Sequence, residues 1–310
     1  MRALILAVLL LAAFLLTPAP AFCAGYDDLN AGIAARNQAN WAMAIAYFDK
    51  ALAAGDLIAD QQYIAHFDRA QAHAARHEWD AAIADLSVCL EKRPGDNVAQ
   101  VNRGAIYSES GNSVAAAQDL DAVIGRDPDN LAAYFARAHL YEMQGEPAKE
   151  LADLQAIQSR DKKNKAIGLE IGIAQFQLGQ ADQAASLFAQ SPGNPGYAWL
   201  WLAMADAKLG KPIPSDPPSR LGADQWPYAI VQAFLGKVKE DTARASIDDG
   251  NPDPATRLGR MCEADFYFGE WRLLHGDAAA GKPMIEDAAQ ICPIGFIERG
   301  AAIAEAKNEH

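Results

Sequence analysis

The sequence predicts an all-α protein built as a solenoid of helix-turn-helix hairpins, and two observations lead to that prediction. The first is a period of 34 residues, at which small residues recur as Ala70, Gly104 and Ala138. The second is composition, since 51% of the 310 residues are hydrophobic, alanine is frequent and no alternating strand pattern of any length occurs. A period of this length is typical of stacked helical hairpins, which bury their apolar faces only by stacking.

Several further positions recur together with the small residues. They are Ala82, Ala116 and Glu150, twelve residues later, and Leu86, Leu120 and Leu154, four residues after those. Small side chains allow two antiparallel helices to approach closely, and the leucine one turn further packs against the next hairpin. Pro94 and Pro128 then end two second helices, because proline lacks an N–H and disfavours helix before it.

On these residues the chain resembles the tetratricopeptide repeat (TPR) family. The resemblance implies a right-handed superhelix of about seven repeat-like units. When the rest of the chain is aligned on the same repeat positions, we expect five repeats over 25–193 and an irregular repeat over 194–249, with a proline-rich loop at 211–225. A C-terminal hairpin and a helix that caps the open end then fill 250–310.

Glu150 interrupts the pattern, because it stands where the other repeats carry alanine at the close helix crossing. A lone carboxylate is costly to bury. We therefore expect the second helix to shift after Pro147 and to tilt Glu150 towards water. A functional carboxylate is the alternative.

The N-terminus predicts secretion. Residues 1–21 combine a positive start at Arg2, an apolar stretch and a small-residue cleavage site, with cleavage as late as residue 24 also compatible. We expect the mature protein in a bacterial periplasm. The alternative is an outer-membrane anchor through a lipidated Cys23, although bulky Phe22 replaces the small residue that lipid attachment requires.

About the last 85 residues resemble the C-terminal part of periplasmic TPR proteins related to the lipoprotein NlpI. The resemblance rests on Trp226-Pro227, on the segment 262–270, on Cys292-Pro293 and on Glu298. It implies envelope proteases and peptidoglycan hydrolases as partners. The chain departs from that lipoprotein in lacking its lipid-attachment motif.

Cys262 and Cys292 are predicted to form a disulfide. They begin the first helix and end the second helix of one hairpin, and antiparallel pairing brings those ends together. In an oxidising compartment the bond would contribute roughly 3–4 kcal/mol. Two buried free thiols are the alternative. Cys89 replaces a core alanine and is expected to be an inert thiol.

No motif indicates an enzyme or a cofactor. The chain has no nucleophile elbow, P-loop, dinucleotide-binding glycine pattern or HExxH. His66, His73 and His77 fall on one face of a predicted helix and could hold zinc or copper, but packing is the favoured interpretation. The net charge of −13 argues against nucleic acid and anionic membrane surfaces as partners.

The remaining candidate is an apolar groove on the first helices, suited to a peptide or an amphipathic helix of an envelope protein. Ile64 and Val98 also fall in this register. Alternatively, the chain's own C-terminal helices or a second copy, as a homodimer, would fill the groove. The candidate groove residues are Phe67, Val101, Phe135, His139, Met143, Leu169, Ile173, Phe176, Tyr197 and Met204.

Overall fold

The computed structural model describes residues 24–191, 195–218, 221–222 and 225–308. Within these ranges it contains sixteen α-helices, one short 3-10 helix and no strand, which confirms the all-α prediction. The predicted signal sequence 1–21 and Cys23 lie outside the described residues. None of the described helices has the length and apolar character that a membrane span requires. The chain divides into two compact units, Met1–Ile106 and Tyr107–His310.

The first unit consists of helical hairpins. Helix α1 pairs with α2, and α3 pairs with α4, while α2 also packs against α3. The recurring small and apolar residues Ala70, Ala82 and Leu86 are buried between α3 and α4, as the repeat pattern predicts. The helices are α1 (Ala24–Asn37), α2 (Trp41–Ala54), α3 (Ala59–Ala74), α4 (Trp79–Lys92) and α5 (Asn97–Glu109), in which the boundary between the units falls.

The second unit continues the pattern and then becomes irregular. Three pairs of its helices form hairpins, namely α7 with α8, α9 with α10, and α14 with α15. Short helices follow the proline-rich segment. The helices are α6 (Ser113–Arg126), α7 (Leu131–Met143), α8 (Pro147–Arg160), α9 (Gly168–Gln177), α10 (Ala181–Phe188), α11 (Pro195–Lys208), α12 (Tyr228–Phe234), α13 (Glu240–Ala245), a 3-10 turn (Ser246–Asp248), α14 (Pro254–Leu274), α15 (Ala278–Ile291) and α16 (Ile297–Asn308).

A repeated arginine connects successive helices. The Arg137 guanidinium donates from Nε to Asp153 on α8 over 2.8 Å and from Nη1 to Asp121 on α6. Arg69 makes the same pair of contacts two 34-residue periods earlier, to Asp85 at 2.8 Å and to Asp49 at 2.6 Å. Each arginine thus joins the first helix of its hairpin to the second helix of the same hairpin and to the second helix of the hairpin before it. The sequence contains a signal for these ion pairs, because arginines recur 34 residues apart and each is followed sixteen residues later by an aspartate.

The last helix is placed differently from the prediction. Rather than only capping an end, α16 packs against α14 and α15 and also against α7 and α9. The backbones are in direct contact, since a Cβ added at Gly300 would lie 2.8 Å from the Glu142 carbonyl oxygen. A Cβ at Gly145, whose φ is +59°, would lie 2.8 Å from the Ala304 nitrogen. Two glycines therefore permit α16 to lie on the first helices.

Candidate functional site

The predicted groove residues of the first unit are partly accessible. Phe67 is half-buried and its ring stacks on Tyr63, with the ring centroids 6.0 Å apart. Val101 is half-buried. Beside them in the same register, Ile64 and Val98 are 41% and 60% exposed. This part of the chain therefore presents apolar side chains to solvent on its first helices.

In the second unit only the start of the predicted groove is accessible. Phe135 is 50% exposed, and His139 and Met143 are half-buried. Ile173 and Phe176, in contrast, are buried in the core rather than lining an open groove.

The covering of this stretch comes from the C-terminal helices. Trp201 packs against Phe176 and against Phe266 of α14, with ring centroids 5.6 Å and 5.3 Å apart. Met204 is fully buried in the same cluster, and Leu169 and Tyr197 are half-buried against it. In this part of the chain, the predicted groove is therefore filled by the chain's own C-terminal helices, as the alternative interpretation of the sequence expects.

The three histidines do not form one row. Helix α3 ends at Ala74, so His77 lies in the following turn with a φ of +59°, and its predicted place on the helix is wrong. His66 Nδ1 lies 2.8 Å from Asp85, and His73 Nδ1 lies 2.6 Å from Glu78. Each of these two imidazoles has its own carboxylate. No trio of His, Cys, Asp or Glu among the described residues is arranged to hold a metal ion.

The cysteines lie where the hairpin geometry predicts. The Cys262 and Cys292 sulfur atoms are 1.99 Å apart and their Cα atoms 4.8 Å apart, which joins α14 to the end of α15. Helix α14 nevertheless begins at Pro254, eight residues before Cys262. Cys89 is a buried thiol whose pKa burial raises to about 12, so it carries little thiolate.

A cavity of about 320 Å3 lies where α7, α8 and α9 meet the start of α16. Its wall combines apolar side chains with three glutamates. Phe135 is half exposed, so the cavity reaches solvent on that side. The lining residues are Phe135, Ala138, His139, Glu142, Glu150, Leu154, Glu170, Gly295 and Ile297.

Glu150 is buried, with 6% of its surface exposed, so the expectation that it tilts towards water is wrong. The physical reason is that α8 is not displaced but packs along α7, as α4 packs along α3. Burial, reinforced by Glu142 and Glu170 and opposed by His139, raises the pKa of Glu150 to about 9. No described residue donates a hydrogen bond to its carboxyl group, whose oxygens are not among the fully enclosed atoms without a partner and so stay open to the cavity.

His139 supplies the positive charge next to the cavity. Its Nδ1 lies 2.9 Å from Glu142 and its Nε2 lies 3.3 Å from Glu109. Hydrogen bonds to Glu109 and Glu142 raise the pKa of His139 to about 10, so the imidazole is protonated at neutral pH. Burial and the nearby Glu142 raise the pKa of Glu170 to about 6. At neutral pH, Glu170 is thus ionised and Glu150 holds a proton.

A second group of buried acids lies in the C-terminal part. The Glu263 carboxylate accepts hydrogen bonds from the Tyr197 hydroxyl, at 2.9 Å, and from the Trp226 indole. Glu298 accepts one from Tyr267 over 2.8 Å. Burial, then Glu298, raises the pKa of Glu263 to about 8. These acids have hydrogen-bond donors, so they connect α11, the segment before α12, α14 and α16 structurally.

Of the cavity residues, sequence reasoning identified Glu150 as irregular and placed Phe135 and His139 on the inner register. It missed Glu142 and Glu170. Their positions on consecutive first helices, close to the break at Glu150, were an available signal. No local sequence pattern indicates that Gly295 and Ile297 line the cavity, because their position depends on where α16 packs.

Comparisons with known proteins agree with this architecture. The tetratricopeptide repeat family model matches residues 29–97 and 102–167. A crystal structure of a tetratricopeptide repeat protein from Parabacteroides merdae superposes on 91% of this chain and 99% of its own, with a TM-score of 0.54 and 13% identity. The C-terminal part of a TPR repeat-containing protein from Cytophaga hutchinsonii covers 88% of this chain and 98% of its own, with a TM-score of 0.52 and 16% identity.

At these identities the structural likeness concerns the fold alone. The family match over residues 29–167 adds the sequence pattern. Proteins of this family are generally non-enzymatic scaffolds, and their repeats typically bind protein partners. The repeat period, the paired helices and these matches together show a tetratricopeptide-repeat fold, with the repeats themselves matched over residues 29–97 and 102–167, and this fold supports a scaffold for protein–protein interaction.

Proposed function

We propose that the chain is a secreted adaptor of the bacterial envelope, which binds an apolar peptide or an amphipathic helix of a partner protein through its first helices. One observation carries the proposal. Exposed apolar side chains recur at the same repeat position on two consecutive first helices of the first unit, as Ile64 and Val98, and Phe135 is a separate exposed apolar residue on a first helix of the second unit. A single exposed apolar residue is ordinary, but recurrence in one register matches the spaced anchors that bind amphipathic segments.

Two features support the envelope location. Residues 1–21 have the pattern of a secretory signal. The adjacent Cys262 and Cys292 sulfurs suit a compartment in which disulfides persist. The C-terminal resemblance to NlpI-related proteins adds envelope proteases and peptidoglycan hydrolases as the partner class.

The binding proposal is tested by partner recovery after crosslinking in the envelope. Val98→Asp and Phe135→Asp place a charge in the proposed contact, so both are expected to reduce recovery strongly. Val114→Asp is the matched control, because Val114 is a valine of similar exposure, 70%, at the start of a second helix. Equal recovery from all three variants would remove the proposal.

Self-association is separated from adaptor binding by the same variants. Size-exclusion chromatography with light scattering measures the mass of the mature protein. If Val98→Asp converts a dimer to a monomer, the exposed register is a homodimer surface and the chain is a structural subunit instead.

The location is tested by cell fractionation. The full chain is expected in the periplasmic fraction, with Cys262 and Cys292 resistant to thiol alkylation until a reductant is added. Deletion of residues 2–21 should retain the protein in the cytoplasm. Recovery of the full chain from the cytoplasm with both thiols reactive would contradict secretion.

A further inference from the structure

The cavity between α7, α8, α9 and α16 contains a polar group that the fold leaves without a partner. Glu150 is 94% buried and lines this cavity, yet in the described part of the chain its carboxyl group makes no hydrogen bond. A buried polar group without a partner destabilises a protein, and such groups mark sites where something else supplies the partner. The cavity next to Glu150 has room for that partner.

The lining defines the chemistry of the missing partner. Glu142 and Glu170 line the same cavity as Glu150, so three carboxyl groups from three helices face one space. Protonated His139 also lines it but is paired with Glu142, which leaves Glu150 and Glu170 as the acceptors for a ligand. An ammonium group has three N–H donors and no acceptor, which complements such a set. Ala138 and Leu154 line the rest of the wall with apolar surface, and Phe135 extends it towards solvent. An alkyl chain would contact that surface while its charged end reaches Glu150.

Other ligand classes fit less well. An anion would meet Glu150 and Glu170, and the positive charge in the lining, His139, is already paired with Glu142. A metal ion needs several ligands converging at about 2 Å, and no such set of His, Cys, Asp or Glu occurs among the residues that the structure describes. A guanidinium favours a paired, planar contact with one ionised carboxylate, whereas a compact ammonium can contact the separate carboxyl groups of Glu150 and Glu170.

We propose that this cavity binds a primary ammonium group at the end of a short alkyl chain, with Glu150 as its principal acceptor. The ammonium could belong to a free diamine or to a lysine side chain of a protein, and the chemistry of recognition is the same. The proposal goes beyond the adaptor function, because none of its carboxylates belongs to the exposed apolar register.

Binding should release a proton. With its pKa raised to about 9, Glu150 is protonated in the empty cavity at neutral pH. An ammonium ion replaces that proton, because the two positive charges cannot both occupy the carboxyl group. The groups that face Glu150 are Glu142 and His139 on α7 and Glu170 on α9. His139 stays protonated and bound to Glu142 throughout, so it does not supply the proton.

Isothermal titration calorimetry of the mature protein tests the proposal with two probes, 1,5-diaminopentane and Nα-acetyl-lysine N-methylamide. 1-Pentanol, which has the same alkyl length without charge, is the control probe. Titrations at pH 7.5 in phosphate and in HEPES, two buffers without a primary amine whose ionisation enthalpies differ, give the number of protons released. We expect binding of at least one amine probe, with close to one proton released, and no binding of 1-pentanol.

Glu150→Gln keeps the size of the side chain but cannot ionise. It is expected to weaken amine binding roughly tenfold or more and to abolish proton release. Glu286→Gln, at an exposed position on α15, and Val98→Asp should bind as the unaltered protein does. Far-ultraviolet circular dichroism checks that each variant is folded.

The outcomes distinguish the sources. Binding of the diamine alone assigns a free amine, and binding of the lysine derivative alone assigns a protein side chain. The proposal is overturned if neither amine binds, if 1-pentanol binds equally well, or if Glu150→Gln leaves affinity and proton release unchanged. None of these results depends on partner capture by the apolar register, so the adaptor proposal can fail separately.

Discussion

The buried Glu150 should make the stability of this protein fall as the pH rises, and Glu150→Gln should remove that part of the dependence. In the folded protein its pKa is about 9, against 4.5 as the ordinary value. Between these two values the folded state holds a proton that the unfolded state has lost. The resulting stabilisation is therefore complete below about pH 4.5 and is lost as the pH rises through 9.

The size of the effect follows from the same numbers. Within this window each pH unit lowers the free energy of unfolding by up to about 1.4 kcal/mol, so the interval from pH 5.5 to 7.5 corresponds to about 2–3 kcal/mol. Glu263 and Glu170 also have raised pKa values, but they titrate in both proteins. The difference between wild type and Glu150→Gln isolates the contribution of Glu150.

Urea unfolding followed by circular dichroism at 222 nm, at pH 5.5, 6.5 and 7.5, measures the difference. The two proteins should differ least at pH 5.5, with Glu150→Gln becoming progressively more stable relative to wild type towards pH 7.5. Glu286→Gln is the control and should parallel wild type. A constant difference across the three pH values would mean that Glu150 ionises normally, and the account of its burial would be wrong.

Three further predictions concern packing. Phe176→Ala should lower the free energy of unfolding by about 3–5 kcal/mol in urea titrations, whereas Phe135→Ala, at a half-exposed site, should cost under about 1 kcal/mol. Arg137→Met leaves Asp153 buried without its ion pair and should cost about 3 kcal/mol, with much of the loss recovered when Asp153→Leu is added. Gly300→Val should push α16 from α7, which hydrogen exchange would report as faster amide exchange in both helices at unchanged helix content.

The repeated part of the chain was predictable because its contacts are local. Ala70, Ala82 and Leu86 are buried in one hairpin as their 34-residue spacing requires, and the same spacing holds for Leu120 and Leu154. The close approach of Cys262 and Cys292 also follows from antiparallel pairing within one hairpin. In each case the partners are close in sequence, so helical periodicity alone places them together.

The candidate site was predictable only in part. The repeat register identified Glu150 as irregular, but a propensity argument cannot show whether a side chain points into a cavity or towards water. Phe176 and Phe135 are both apolar residues of first helices, yet one is buried and the other half exposed. The exposure differs because Phe176 is covered by Trp201, and Trp201 packs in turn against Phe266 of α14, which lies 90 positions after Phe176 in the sequence.

The sequence by itself determined the hairpins, their close crossings and the inner register, because these depend on neighbours within about one 34-residue period. The tertiary structure decided how far that register stays accessible and where Glu150 lies. The physical reason is the return of α16 onto α7 and α9, with Gly145 and Gly300 allowing backbone contact. That contact joins residues more than 150 positions apart, and it places Gly295 and Ile297 in the wall of the cavity into which the irregular glutamate faces.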